Sequence, residues 1–87
     1  GDTALLLDID LAILGQSPER FAQYEKDIRL EYLWVPPLIY VEKRSAILQS
    51  FLDRPRLYLT DFIHEKYGAQ ARHNLQALLA SGLNPLA

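Results

Sequence analysis

Two carboxylates, Asp8 and Asp10, sit inside the run LLLDIDLAILG from Leu5 to Gly15, and no other residues of the chain are in a setting that calls so strongly for chemistry. A carboxylate buried among apolar side chains is costly unless a metal ion, an arginine or several hydrogen-bond donors stand beside it. On a helix, residues two apart point about 160 degrees away from each other, so the two acids cannot both enter one site. At most one of them is a direct ligand; the other is a supporting or structural acid, with Arg29 and Arg44 as candidate ion-pair partners. The remaining polar residues offer less. His64 and His73 have neither the i, i+4 spacing of a metalloprotease pair nor that of a zinc finger. Ser17 and Ser45 have no histidine and acid placed around them in a readable pattern. Lys43, Arg44, Arg54 and Arg56 form a basic set suited either to a phosphate or to ion pairs with Asp53, Asp61 and the second helix, and the ion pairs are the simpler expectation.

The elements that must position these residues are helical. The first helix is expected from Asp2 or Thr3, as N-cap, to Gly15, where a left-handed glycine ends helices cheaply. Its apolar residues surround the axis, which predicts burial on all sides. Ser17-Pro18-Glu19 is a helix start, with Ser17 as N-cap and Pro18 at the first position. The second helix runs to about Leu33, with Phe21, Tyr24, Ile28 and Tyr32 as its apolar stripe and Arg29 on the charged face. Trp34-Val35-Pro36-Pro37 makes a corner that Trp34 is expected to pin. A third helix from about Leu38 to Asp53 carries Tyr40, Val41, Arg44, Ile47, Leu48, Phe51 and Leu52 on one stripe. Arg56 to Leu59 reads as loop rather than strand. A brief helix from Thr60-Asp61 to Tyr67 follows, Gly68 interrupts, and a last helix from Ala69 to Ser81 buries Ala71, Leu75, Leu78 and Leu79 before a fraying tail. The aromatics Tyr24, Tyr32, Tyr40 and Phe51 recur at helical spacing and read as core rather than as a base-stacking platform.

Eighty-seven residues, 49% of them hydrophobic and 23% charged, make one globular unit with a thin core. No run of apolar residues approaches a membrane span, and a net charge of −2 argues against an extended nucleic-acid surface. Without cysteine a metal could be held only by carboxylate or imidazole. Nothing marks a signal peptide, so a cytoplasmic location is the expectation.

The run Asp8-Ile9-Asp10-Leu11-Ala12-Ile13-Leu14-Gly15 resembles the closing motif of the HD superfamily of metal-dependent phosphohydrolases. Members of that superfamily are α-helical and hold metal with a histidine, a later His-Asp doublet and a final aspartate, to which Asp10-Leu11-Ala12 is similar. The resemblance extends through Ser17-Pro18-Glu19-Arg20, Arg29-Leu30-Glu31-Tyr32, Val35-Pro36, Phe51 to Arg56, Thr60-Asp61-Phe62 and Ala71 to Leu75. It points to one branch, the predicted metal-dependent HD phosphohydrolases of about two hundred residues, and to its C-terminal half. The chain departs from the pattern in having no histidine before Asp10.

The resemblance implies an all-α chain of four to five helices, a single unit over residues 1–87 that is the C-terminal fragment of a larger HD-type domain. Asp10 would be a metal ligand and Asp8 a possible second acid behind it. The complete protein would use a divalent cation and a phosphorylated small-molecule substrate. This chain alone would hold no complete catalytic set, bind no metal or other cofactor and be inactive. The competing expectation is a non-enzymatic helical interaction module. In either case the apolar first helix predicts a homo-oligomer joined through Leu5 to Leu14.

Overall fold

The structure, a computed structural model, describes residues 2–83. It is all-α: α1 (Asp2–Leu11), a 3₁₀ turn (Ala12–Gly15), α2 (Pro18–Glu31), α3 (Pro37–Asp53) and α4 (Asp61–Ser81). The expected fraying tail falls largely on residues 84–87, outside the described residues.

α4 is the axis of the fold. It packs against the 3₁₀ turn and against α3, and the turn in turn meets α1 and α2. The core gathers Leu14 from the turn, Phe21 from α2, Leu48 from α3, Leu57 and Tyr58 from the α3–α4 loop, and Ile63, Ala71 and Leu75 from α4. The expected break at Gly68 does not occur, and α4 runs unbroken for 21 residues. A glycine inside a helix costs about 1 kcal/mol relative to alanine, which the burial of Ile63, Ala71 and Leu75 on the two sides of Gly68 outweighs.

Gly15 differs from expectation in its reason for being glycine. The only glycine with positive φ among the described residues is Gly82, at φ 78°, which follows α4. At Gly15 the constraint is space: a Cβ there would lie 2.6 Å from the Tyr67 Cβ and 2.7 Å from the Tyr67 carbonyl oxygen. The turn is thus pressed onto the backbone of α4, and only a residue without a side chain allows that approach.

α2 starts as expected, with Ser17 Oγ accepting from Arg20 N at 3.3 Å and Pro18 at the first position. α1 already contains Asp2 and Thr3, so neither is its N-cap. The α2–α3 corner is held differently from the sequence reading. Trp34 is 78% exposed and only tilts against Tyr32, itself exposed, at 6.2 Å. The corner is tied instead by Arg29, which is 7% exposed rather than on the wet face. Its Nη1 donates to the Tyr32 carbonyl at 3.0 Å and to the Val35 carbonyl at 3.4 Å, and its guanidinium lies over the Tyr40 ring at 4.5 Å.

α1 is not covered on all sides. Leu5, Leu6, Leu7 and Ile9 are exposed, Leu11 packs half-buried against the core, and the one fully buried residue among those described in the helix is Asp8. No described helix is long and apolar enough to cross a membrane.

Candidate functional site

Asp8 and Asp10 part company at the surface of α1, as two residues on nearly opposite sides of one helix must. Asp8 is 1% exposed and Asp10 is exposed. The Asp8 carboxylate crosses to the start of α4, where Oδ1 accepts from Leu59 N at 2.8 Å and Oδ2 accepts from Thr60 N and from Thr60 Oγ1, both at 2.7 Å. Thr60 is the N-cap residue of α4 but makes no side-chain cap bond of its own, because its hydroxyl is turned to Asp8. An acid at this point also faces the positive end of the α4 dipole.

Burial pushes the Asp8 carboxyl up. Three hydrogen bonds, from Leu59 N, Thr60 N and the Thr60 hydroxyl, together with the nearby Arg56 charge, overcome that and hold it below its ordinary 3.8. Asp8 is therefore an ionised, fully satisfied internal anion. Its partners are backbone donors and a threonine; neither Arg29 nor Arg44 pairs with it. Arg56 braces the same loop, its Nε donating to the Tyr58 carbonyl at 2.8 Å and its Nη2 pairing with Asp61 at 2.7 Å. Tyr58, wholly buried beside this carboxylate, donates its hydroxyl to the Leu11 carbonyl at 2.8 Å. Burial, then the charge of Asp8, pushes the Tyr58 phenol up to about 12.

Asp10 takes part in neither ion pair found among the described residues. It stands on a face of α1 shared with exposed leucines and Ile9. One monodentate carboxylate does not hold a divalent cation against water, and no group of three or more histidine or acidic side chains able to hold a metal occurs among the described residues. As a ligand Asp10 fits a metal only if further donors come from elsewhere.

The basic set does not converge. Arg44 is paired with Glu25 on α2 through two bonds, Nε to Oε1 at 3.1 Å and Nη2 to Oε2 at 2.5 Å. Arg56 is paired with Asp61, Arg54 lies over the Phe51 ring at 5.2 Å, and Lys43 is exposed. His64 and His73 are both exposed on α4, and Ser45 is half-buried on α3. Of the four aromatics, Tyr40 is buried, Tyr24 and Phe51 are half-buried and Tyr32 is exposed.

Two residues of this scaffold, Tyr58 and Asn74, went unremarked in the sequence, as did the tie of the helix-capping Thr60 to Asp8. Tyr58 lies in a segment too irregular for periodicity to assign a face. Asn74 is buried in α4 and donates to the Leu14 carbonyl at 2.9 Å and the Gln16 carbonyl at 2.8 Å, accepting from Gln70 at 2.8 Å. A polar residue three positions from Ala71 and adjacent to Leu75, on an otherwise apolar face, was the available signal for it. Comparison with known proteins adds no relative: no family model, no curated protein and no solved structure matches the chain.

Proposed function

We propose that this chain is the C-terminal part of a metal-dependent phosphohydrolase of the HD superfamily, in which Asp10 is the last metal ligand and Asp8 is structural. The observation that carries the proposal is the division of labour within Asp8-Ile9-Asp10. Asp8 is spent entirely on the α4 N-terminus, whereas Asp10 keeps an unpaired carboxylate on the outer face of α1. That face, apolar around a single free acid, suits a helix whose outer side is completed by further helices carrying the other ligands. The residue resemblance from Leu5 to Gly82 supports the same reading. When bound, the divalent cation would supply a Lewis acid and an activated water for attack on a phosphoester. The role of this chain is to hold Asp10 on a rigid helix, and Asp8 contributes by fixing that helix to α4.

The test uses the protein together with its upstream sequence. Asp10→Asn is expected to remove most Mn²⁺-dependent hydrolysis of bis(p-nitrophenyl) phosphate while leaving the fold intact. Asp8→Asn is expected to lower thermal stability first and activity only in proportion. Equal and complete loss from both, at unchanged stability, would reject the separate roles.

A second reading rests on a different observation, the exposure of Leu5, Leu6, Leu7 and Ile9 together. Under it the chain is a helical interaction module whose α1 face joins two copies, and Asp10 is a surface acid. Full activity of Asp10→Asn, with association lost on Leu6→Glu, would favour it.

A further inference from the structure

A cavity of about 390 Å³ opens between α2, α3 and α4, and neither Asp8 nor Asp10 lines it. That volume falls within the range of about 300–1,000 Å³ usual for small-molecule sites. Its walls are largely apolar, with Phe21, Ala22, Ala77 and Leu78 among them, and Arg29 stands in its lining.

Arg29 is the unusual component. It is 93% buried, by the difference from its 7% exposure, yet no carboxylate among the described residues lies within ion-pair distance of it. A buried guanidinium without a counter-charge is held at a desolvation cost that carbonyl contacts offset only in part. Nη1 is used by the Tyr32 and Val35 carbonyls; Nε and Nη2 make no hydrogen bond among the described residues, and neither does the hydroxyl of Tyr40, whose ring the guanidinium covers. Among the described residues no fully enclosed side-chain nitrogen or oxygen lacks a partner, so these free donors reach solvent, and both residues line the cavity.

The surrounding charges reinforce the imbalance. Glu25 also lines the cavity, but its carboxylate is occupied in both oxygens by Arg44. Lys26 and His73, both exposed, stand at the edge. The balance is positive, with one buried cation and one rim cation facing apolar walls. We propose that this cavity binds an amphipathic carboxylate, its head on Arg29 and the Tyr40 hydroxyl and its hydrocarbon body against Phe21, Ala22, Ala77 and Leu78. The Nε–Nη2 edge of the guanidinium, unused among the described residues, is a planar fork that fits a carboxylate, and the apolar walls call for a hydrocarbon body, which inorganic phosphate lacks. The proposal is independent of the phosphohydrolase reading, since it shares no residue with Asp8 or Asp10.

The test is a titration of the ¹⁵N-labelled 87-residue chain, followed by amide shifts, with octanoate, 1-octanol and octylammonium as probes. Octanoate is expected to give saturable shifts centred on Phe21, Ala22, Ala77 and Leu78. It should bind about tenfold or more tightly than octanol, the scale of one charge-assisted bidentate contact, and octylammonium more weakly still. Lys26→Glu is expected to weaken octanoate several-fold, to about a third or less of its affinity, with octanol unchanged. Arg29→Gln removes the head-group contact but also loosens the α2–α3 corner. Ala77→Trp, which fills the cavity from an exposed helix position, is therefore the parallel variant and is expected to abolish binding of both octanoate and octanol. Equal affinity for octanoate and octanol, shifts centred on the exposed leucines of α1, or no saturable shift at millimolar octanoate would each overturn the proposal.

Discussion

At the scale of single residues, the weight falls on one carboxylate. Asp8→Ala would remove the acceptor of the part-buried Leu59 and Thr60 N–H groups and of the Thr60 hydroxyl, and each such loss costs about 1–3 kcal/mol, so a destabilisation of about 3 kcal/mol is expected in urea unfolding. Asp10→Asn, at an exposed position, is expected to change stability by no more than about 0.5 kcal/mol. The pH dependence follows from the direction of the Asp8 shift. Its carboxyl is held below 3.8 in the fold and returns to about that value when unfolded, so on acidification the unfolded chain takes up the proton first. The Asp8 contribution is therefore fully present above about pH 4 and is lost as pH falls through the lower folded-state value. Unfolding midpoints measured from pH 6 down to pH 2 should show this loss in the wild type and a shallower slope in Asp8→Asn; parallel slopes would deny Asp8 its role. The sequence displayed the conflict at Asp8 and Asp10 and their divergence around the helix. It could not display which acid turns inward, because apolar residues surround the helix and Leu59 and Thr60 are some fifty residues away.

At the scale of elements, two glycines make opposite predictions. Gly15→Ala drives a Cβ into the Tyr67 backbone and to 3.2 Å from the Tyr58 hydroxyl, and neither can withdraw without moving α4 or the buried Tyr58. A loss of about 1–3 kcal/mol is expected. Gly68→Ala first meets the exposed His64 ring, at 3.0 Å from Nδ1, a side chain that can rotate away. A gain of about 0.5–1 kcal/mol is expected from helix propensity and the reduced freedom of the unfolded chain. Thermal melts of the two variants check both signs. The helices themselves were legible: the Ser17-Pro18 start, the α3 stripe apart from the exposed Ile47, and the loop through Arg56 to Leu59 lie where local chemistry puts them. The sequence misled where long-range packing overrides local preference. Gly68 lies inside α4 because buried residues flank it, and Arg29 is buried because the corner carbonyls of Tyr32 and Val35 and the Tyr40 ring need a donor that no periodic pattern announces.

At the scale of the whole molecule, the fold is asymmetric in what it covers. Its core gathers around α4, while Leu5, Leu6, Leu7 and Ile9 lie bare on α1, Leu6 and Leu7 on the same side as Asp10. The radius of gyration is 13.3 Å, against about 12 Å for a compact chain of this length. An apolar face of this kind is a candidate for association, which the proposed account assigns to it. Sedimentation of the chain at tens of micromolar is expected to show a dimer or larger species that Leu6→Glu returns to monomer; a monomeric wild type would remove association between copies from the account. The same bare face is where the remaining metal ligands would arrive in the proposed phosphohydrolase. The most direct measurement of that claim is Mn²⁺-dependent phosphodiester hydrolysis by the protein carrying its upstream sequence, compared between wild type and Asp10→Asn. The account predicts a loss of at least about a hundredfold from removing a direct metal ligand, on the scale of several kcal/mol of transition-state stabilisation, with the melting temperature unchanged. Activity of Asp10→Asn within a few-fold of wild type would contradict it.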